Sequence, residues 1–105
     1  VHLTEAIEYA DNYRRDPEAA VRMYREALAV DETRFADRYN LACALQALGR
    51  ADEAVAEFRA SLKLAPDNAN VHNTLAAVLV ESGRVPEAIE HYRQALEIQT
   101  IEQFH

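Results

Sequence analysis

The chain has 105 residues, 50% of them hydrophobic and 28% charged, which is the composition of an ordinary globular protein. Eighteen acidic and eleven basic side chains give a net charge of −7, which argues against a nucleic-acid partner or an anionic membrane surface. No apolar run approaches the roughly 18 residues that a membrane-spanning helix needs, and the single cysteine, Cys43, excludes an internal disulfide and fits the cytoplasm.

Apolar residues recur at the spacing of an α-helix along six segments that are joined by short linkers. The predicted helices cover about residues 3–14, 17–30, 36–48, 52–64, 69–82 and 86 onward. Asp16 caps the second helix and Pro17 opens it, while Asp67 or Asn68 caps the fifth. Gly49 suits a left-handed residue just past a helix end. Consecutive helices are therefore predicted to fold into antiparallel hairpins.

The C-terminal residues allow two predictions. Pro66 follows the fourth predicted helix and ends it, whereas Thr100, at the equivalent place after the sixth, is not a proline. The sixth helix can therefore continue and place Ile98 and Ile101 on one stripe. Alternatively, the segment from Thr100 to Gln103 has the form of a capping box and begins a seventh helix. Both alternatives remain open from the sequence.

A shift of 34 residues aligns the chain with itself throughout. The aligned sets include Ile7 with Leu41 and Leu75, Ala20 with Ala54 and Ala88, and Tyr24 with Phe58 and Tyr92. This period predicts one repeat domain over residues 1–105, with repeats at about 1–34, 35–68 and 69–102 and a tail at 103–105. Since the chain begins with Val1 rather than Met, we expect a fragment of a larger protein.

The period and the residue classes resemble the tetratricopeptide repeat family. The resemblance rests on Ala54-x3-Phe58, Ala88-x3-Tyr92 and Pro66. It implies an all-α fold, a right-handed superhelical α-solenoid of three antiparallel helical hairpins. The chain departs from the family pattern at Thr4, Arg38 and His72, where the family often has tryptophan, and its first repeat is the most degenerate.

The resemblance also implies a concave groove that is lined by the first helix of each repeat. Its predicted partner-binding residues are Tyr9, Asn12, Tyr13, Tyr39, Asn40, Gln46, Asn70, Asn73 and Thr74, with Glu5, Cys43, Ala77 and Glu81 on the same faces. Amide side chains donate to and accept from a peptide backbone, and tyrosine adds flat apolar area. The implied function is a non-catalytic protein-interaction scaffold that binds a peptide or a helix.

Family members that hold the C-terminal carboxylate of chaperones use two lysines, one arginine and two asparagines. Those places here are Glu5, Tyr9, Asn40, Asn70 and Thr74, of which Asn40 alone matches. Charge-assisted hydrogen bonds supply such affinity, and the cations are missing. We therefore predict that the partner is not an acidic C-terminal carboxylate.

Two alternative functions remain. By resemblance to family members fused to glycosyltransferases, the chain is the substrate-presenting arm of a larger enzyme. By its composition near the C-terminus, it is a self-assembly module that pairs with another copy to form a homo-oligomer. The predicted self-association residues are Leu96, Ile98, Ile101 and Phe104.

Candidates for catalysis are few, and we predict no catalytic residue, metal site or cofactor. His72 is predicted to pack between helices. Glu87 and His91 are four residues apart but lack a third metal ligand, so a solvated pair is expected. Cys43 has no histidine or second cysteine at a motif spacing.

Two further series recur at the repeat period. Tyr24, Phe58 and Tyr92 are predicted to lie in the core. Arg25, Arg59 and Arg93 can form an outward-facing ladder on the second helices. We favour the alternative that they pair with acids on neighbouring turns, such as Glu26, Glu57 and Glu90.

Overall fold

A computed structural model describes residues 15–104, which form five α-helices. They are α1 (Pro17–Val30), α2 (Phe35–Ala47), α3 (Ala51–Leu64), α4 (Ala69–Glu81) and α5 (Val85–Gln103). The helix predicted over residues 3–14 lies outside the described residues. Because the described part contains helices and no strand, the predicted all-α repeat fold is confirmed.

Side-chain caps fix two of the helix starts. The Asp16 carboxylate accepts a hydrogen bond from the backbone N–H of Ala19 at 3.1 Å, and Pro17 follows as the first helical residue. At α4, the side-chain oxygen of Asn68 accepts from the N–H of Val71 at 3.1 Å. Asn68, rather than Asp67, is therefore the cap of this helix.

Glycine closes each described hairpin. Gly49 follows α2 with φ of +76° and Gly83 follows α4 with φ of +79°, a left-handed conformation that costs an L side chain energy. After the first of these turns, the N–H of Arg50 donates to the carbonyl of Leu45 at 2.9 Å. The left-handed glycine and this hydrogen bond reverse the chain, so that the second helix of the hairpin packs against the first.

The helices pack in sequence order. Helices α2 and α3 form one hairpin and α4 and α5 form the next, while α1 packs on α2 and α3 packs on α4. The second helix of each repeat therefore contacts the first helix of the following repeat. This alternation is the defining contact pattern of a helical repeat array.

The core combines large side chains with small ones at the helix crossings. The largest fully buried side chains include Leu41, Leu45, Phe58, Leu75 and Leu79. Fully buried alanines separate them, namely Ala20, Ala42, Ala44, Ala54, Ala76 and Ala88. A methyl side chain lets two helix axes approach to roughly 8–10 Å, and the larger residues fill the space beside each crossing.

Helix α5 continues past the point where α3 ends. Helix α3 stops at Leu64, whereas α5 includes Thr100, whose hydroxyl donates to the carbonyl of Leu96 at 2.8 Å. The prediction that the last helix runs on is confirmed, and the alternative of a seventh helix beginning at Thr100 is wrong. Among the helices described, none combines the length and the apolarity that crossing a membrane requires.

The ion-pair partners of the repeated arginines differ in part from those predicted. Arg25 pairs with Glu53 at 3.1 Å and Arg59 pairs with Glu87 at 2.6 Å, so the predicted partners Glu26 and Glu57 are wrong. In both pairs the acid lies 28 residues ahead, on the second helix of the next repeat. The Arg25–Glu53 and Arg59–Glu87 bonds are called the inter-repeat ion pairs below. Arg93 pairs with Glu90 at 3.3 Å, as predicted.

Candidate functional site

The first helices of successive repeats, α2 and α4, meet at a polar contact. The Tyr39 hydroxyl lies 3.2 Å from the hydroxyl oxygen of Thr74. Thr74 donates its single hydroxyl proton to the carbonyl of Asn70 one turn earlier at 2.9 Å, so Tyr39 is the donor in the contact between the two hydroxyls. Tyr39 and Thr74 are both predicted groove residues, and the fold brings them together.

A surface pocket of about 480 Å³ surrounds this contact. Its lining residues are Tyr39, Cys43, Gln46, Ala47, Thr74 and Glu81. We call this set the groove pocket. It offers a flat aromatic side chain, an amide, a hydroxyl and a carboxylate to a ligand, which is a mixed surface suited to peptide groups.

Other predicted groove residues lie away from the groove pocket. Asn40 and Asn73 are half-buried and Asn70 is exposed, but none of the three lines it. Tyr9, Asn12 and Tyr13, together with Glu5, lie outside the described residues. Ala47 lines the pocket and was missed, although its position four residues after Cys43 on the same helix was a usable signal.

Tyr39 also serves the core. Its ring stacks on that of Phe35 with centroids 6.3 Å apart and forms an edge-to-face pair with Phe58 with centroids 5.7 Å apart. Aromatic pairs in these arrangements stabilise a fold beyond the area they bury. Truncating Tyr39 would therefore perturb the hairpin as well as the groove.

Cys43 is half-buried beside Tyr39. Burial raises the pKa of the Cys43 thiol, and a hydrogen bond with the Tyr39 side chain opposes this only in part. The neutral thiol is a poor nucleophile, because thiolate is the reactive form. Cys43 therefore contributes a small apolar surface to the groove pocket.

A histidine pair joins α4 to α5 on another part of the surface. The Nδ1 atoms of His72 and His91 lie 3.0 Å apart, and the Nε2 atom of His72 lies 2.9 Å from the carbonyl oxygen of Pro66. His72 is buried, as predicted. The predicted pairing of Glu87 with His91 is wrong, because the Glu87 carboxylate is held instead by Arg59 and Arg84.

For two neutral rings, one arrangement of protons satisfies all of these contacts. A carbonyl oxygen can only accept, so His72 carries its proton on Nε2 and donates it to Pro66. The Nδ1 atom of His72 then accepts from the Nδ1–H group of His91. Both rings are neutral in this arrangement.

The surroundings make protonation of His91 costly. Burial lowers the pKa of His91 below its ordinary value of 6.5, and the electrostatic interaction with His72 adds to this effect. Arg59 lowers it further, whereas Glu87 and Glu90 act in the opposite direction. The folded chain therefore binds this proton more weakly than the unfolded chain does.

We expect the free energy of unfolding to decrease as the pH falls through the range in which His91 titrates. The contribution of His91 is fully present above pH 6.5 and is lost as the pH falls below that value, because protons then favour the unfolded chain. Hydrogen bonds with Thr33 lower the pKa of the Asp31 carboxyl, and those with Arg59 and Arg84 lower the pKa of the Glu87 carboxyl, but these groups start from 3.8 and 4.5 and act at lower pH. The urea midpoint should fall between about pH 8 and about pH 5.

The control is His91→Gln, which keeps a hydrogen-bond donor and removes the titrating ring. The variant should show a smaller fall in urea midpoint over the same range. An equal fall in both proteins would contradict the assignment to His91.

Within residues 15–104, no three histidine, cysteine, aspartate or glutamate side chains converge as a metal-ligand set.

The predicted self-association residues lie on or beside the outer surface of α5. Leu96, Ile101 and Phe104 are exposed and Ile98 is half-buried. Tyr92 is 42% exposed as well, so its predicted place in the core is wrong.

Comparison with known proteins agrees with the helical repeat. The family model described as tetratricopeptide repeat matches residues 35–101. Among solved structures, MamA MSR-1 superposes with a TM-score of 0.83 at 28% sequence identity, covering 91% of this chain and 54% of that one. MamA AMB-1 gives 0.82 at 28% identity, covering 90% and 56%.

A further MamA structure, at 18% identity, shows a common fold with a TM-score of 0.86. The present chain spans little more than half the length of these structures, 57% in this last case. No curated protein matches the sequence significantly.

Proposed function

The chain belongs to the tetratricopeptide repeat family, and from that membership we propose that it is a protein-interaction scaffold that binds a peptide segment in the groove pocket. The family is typically a non-catalytic interaction scaffold. The protein binds its partner by holding peptide groups between α2 and α4, and it performs no chemistry on them.

One observation carries this proposal. The groove pocket of about 480 Å³ lies where the first helices of two successive repeats converge. The Tyr39 and Thr74 hydroxyls bridge the two helices there at 3.2 Å, so the polar groups are held in place before a ligand arrives. Pre-arranged groups lose less conformational entropy on binding, which favours affinity for a flexible peptide.

The charge of the site defines the ligand further. The pocket lining contains one acid, Glu81, and no cation, and the whole chain carries a charge of −7. A peptide carboxylate would be repelled here, whereas a neutral or basic segment would be tolerated or attracted. We therefore propose a neutral or basic peptide and exclude an acidic C-terminal tail as the ligand.

The test is a selection of peptides of about twelve residues on the full chain, followed by affinity measurements on two matched variants. Ala47→Tyr places a bulky side chain in the groove pocket from an exposed position at the end of α2. Ala56→Tyr makes the same change at an exposed position of α3 outside the pocket. This design avoids Tyr39→Ala, which would also remove the contacts with Phe35 and Phe58.

Selected peptides should bind Ala47→Tyr about 30-fold more weakly than the unmodified chain, which is the loss expected when a central interface position is blocked. Ala56→Tyr should bind them normally. Equal binding by the two variants would show that the groove pocket is not the site.

A further inference from the structure

The groove pocket has two ends of different chemistry. Tyr39 on α2 meets Thr74 on α4 at one end, and the two residues are 35 apart in sequence. Gln46 and Glu81 are also 35 apart, and each lies seven residues further along its helix, about 10 Å away. Because α2 and α4 both open a repeat and run in the same direction, Gln46 stands opposite Glu81. We call Tyr39 and Thr74 the hydroxyl end of the pocket, and Gln46 and Glu81 the carboxylate end.

The hydroxyl protons at the hydroxyl end are used inside the protein. Tyr39 donates to Thr74 at 3.2 Å, and Thr74 donates to the carbonyl of Asn70 at 2.9 Å. The Thr74 oxygen has two lone pairs, of which Tyr39 takes one. Thr74 therefore presents an acceptor rather than a donor to a ligand, and this favours a ligand that donates hydrogen bonds.

The Glu81 carboxylate is not neutralised by any described residue. Glu81 is exposed, and its carboxylate forms none of the ion pairs or side-chain hydrogen bonds within residues 15–104. It is the last residue of α4, whose last turn contains no basic residue, and the helix dipole opposes a negative charge there. Ala47 holds the same place in the preceding repeat, so the repeat pattern does not require an acid.

Acids beside neighbouring helices are treated differently elsewhere in this molecule. Arginine neutralises them in the inter-repeat ion pairs, and Arg38 binds Glu57 across a hairpin at 3.0 Å. Among the residues that line the groove pocket, Glu81 is the one charged side chain. A ligand with a cationic group that donates hydrogen bonds would therefore complement both ends of the pocket.

Given the proposed function, on which this assignment rests, we propose that the groove pocket binds an arginine side chain of the peptide, with its guanidinium group on the Glu81 carboxylate and the side-chain oxygen of Gln46. A guanidinium is planar and always charged, and its five N–H donors meet a carboxylate in two parallel hydrogen bonds and still reach a neighbouring acceptor. The ammonium group of lysine is a strongly hydrated point charge and matches this arrangement less well. A backbone N–H group of the peptide donates to Thr74 at the hydroxyl end.

The ligand side is tested with the peptides selected on the full chain, each of which should contain an arginine. Replacing that arginine by citrulline keeps the shape of the side chain and removes its charge. Binding should become about fivefold weaker, which is the contribution of an exposed ion pair. Replacing it by lysine should cause a smaller but measurable loss. Fluorescence anisotropy of labelled peptides measures both changes.

The protein side is tested by a double-mutant cycle. Glu81→Gln should weaken binding of the arginine peptide about fivefold and leave binding of the citrulline peptide unchanged. Glu81→Lys should reverse the preference, so that a peptide with glutamate in place of the arginine binds better than the arginine peptide. Because the helix dipole opposes an acid at this place, neither change should lower the urea midpoint.

Glu26→Gln is the matched control. It removes an exposed acid of α1 outside the groove pocket and changes the net charge by the same amount. The arginine peptide should bind this variant as it binds the unmodified chain, since the lost charge is far from the guanidinium and is screened by salt.

The outcomes distinguish this assignment from the proposed function. The arginine assignment is wrong, and the groove pocket remains the site, if Ala47→Tyr blocks selected peptides that contain no arginine. It is also wrong if the lysine peptide binds as tightly as the arginine peptide, or if Glu81→Gln and Glu26→Gln bind the arginine peptide equally well. If Ala47→Tyr binds the selected peptides normally, the proposed function fails together with the assignment.

Discussion

Replacing Phe58 by alanine is expected to lower the free energy of unfolding by about 3–5 kcal/mol. The ring is fully buried in α3, where it forms an edge-to-face pair with Tyr39 with centroids 5.7 Å apart. Removing it costs the transfer of the ring from water and leaves a cavity that rigid neighbouring helices fill only partly. Urea unfolding followed by circular dichroism measures the loss.

The repeat provides a matched control for this change. Tyr92 stands 34 residues later at the same place in the pattern, but it is 42% exposed. Tyr92→Ala should cost less than half as much, because solvent already reaches the ring and no closed cavity forms. Equal losses at the two positions would contradict the described difference in burial.

Enlarging Ala54 to leucine is expected to destabilise the chain by about 1–3 kcal/mol. Ala54 is fully buried near the start of α3, at a position that is alanine in all three repeats as Ala20, Ala54 and Ala88. Three added carbon atoms have no space there, so α3 must move away from its neighbours or adopt strained side-chain rotamers. The urea midpoint should fall accordingly.

Ala56→Leu serves as the control on the same helix. Ala56 is exposed, and leucine is nearly as good a helix former as alanine, so the change should stay within about 0.5 kcal/mol. If Ala54→Leu were equally well tolerated, the small residue would not be required by close helix packing.

The sequence predicted which helices line the groove, but it predicted less well which of their residues line it. Helical spacing on the first helices identified Tyr39, Gln46 and Thr74, because side chains three or four residues apart share a face. Spacing alone could not separate these from Asn40 and Asn73, since a groove takes up only part of a helix face. Which residues of the helix face line the groove pocket depends on how closely the next helix approaches.

The sequence by itself determined the helices and their order. The 34-residue period, the cap at Asp16, the glycine at Gly49 and the buried alanine series are local signals, and local chemistry decides where a helix starts, stops and turns. Only the tertiary structure decided the contacts between residues distant in sequence. It paired Arg25 with Glu53 rather than Glu26 and His91 with His72 rather than Glu87. These partners depend on how neighbouring repeats are placed in space, since an ion pair or hydrogen bond forms only where two groups come within about 3 Å.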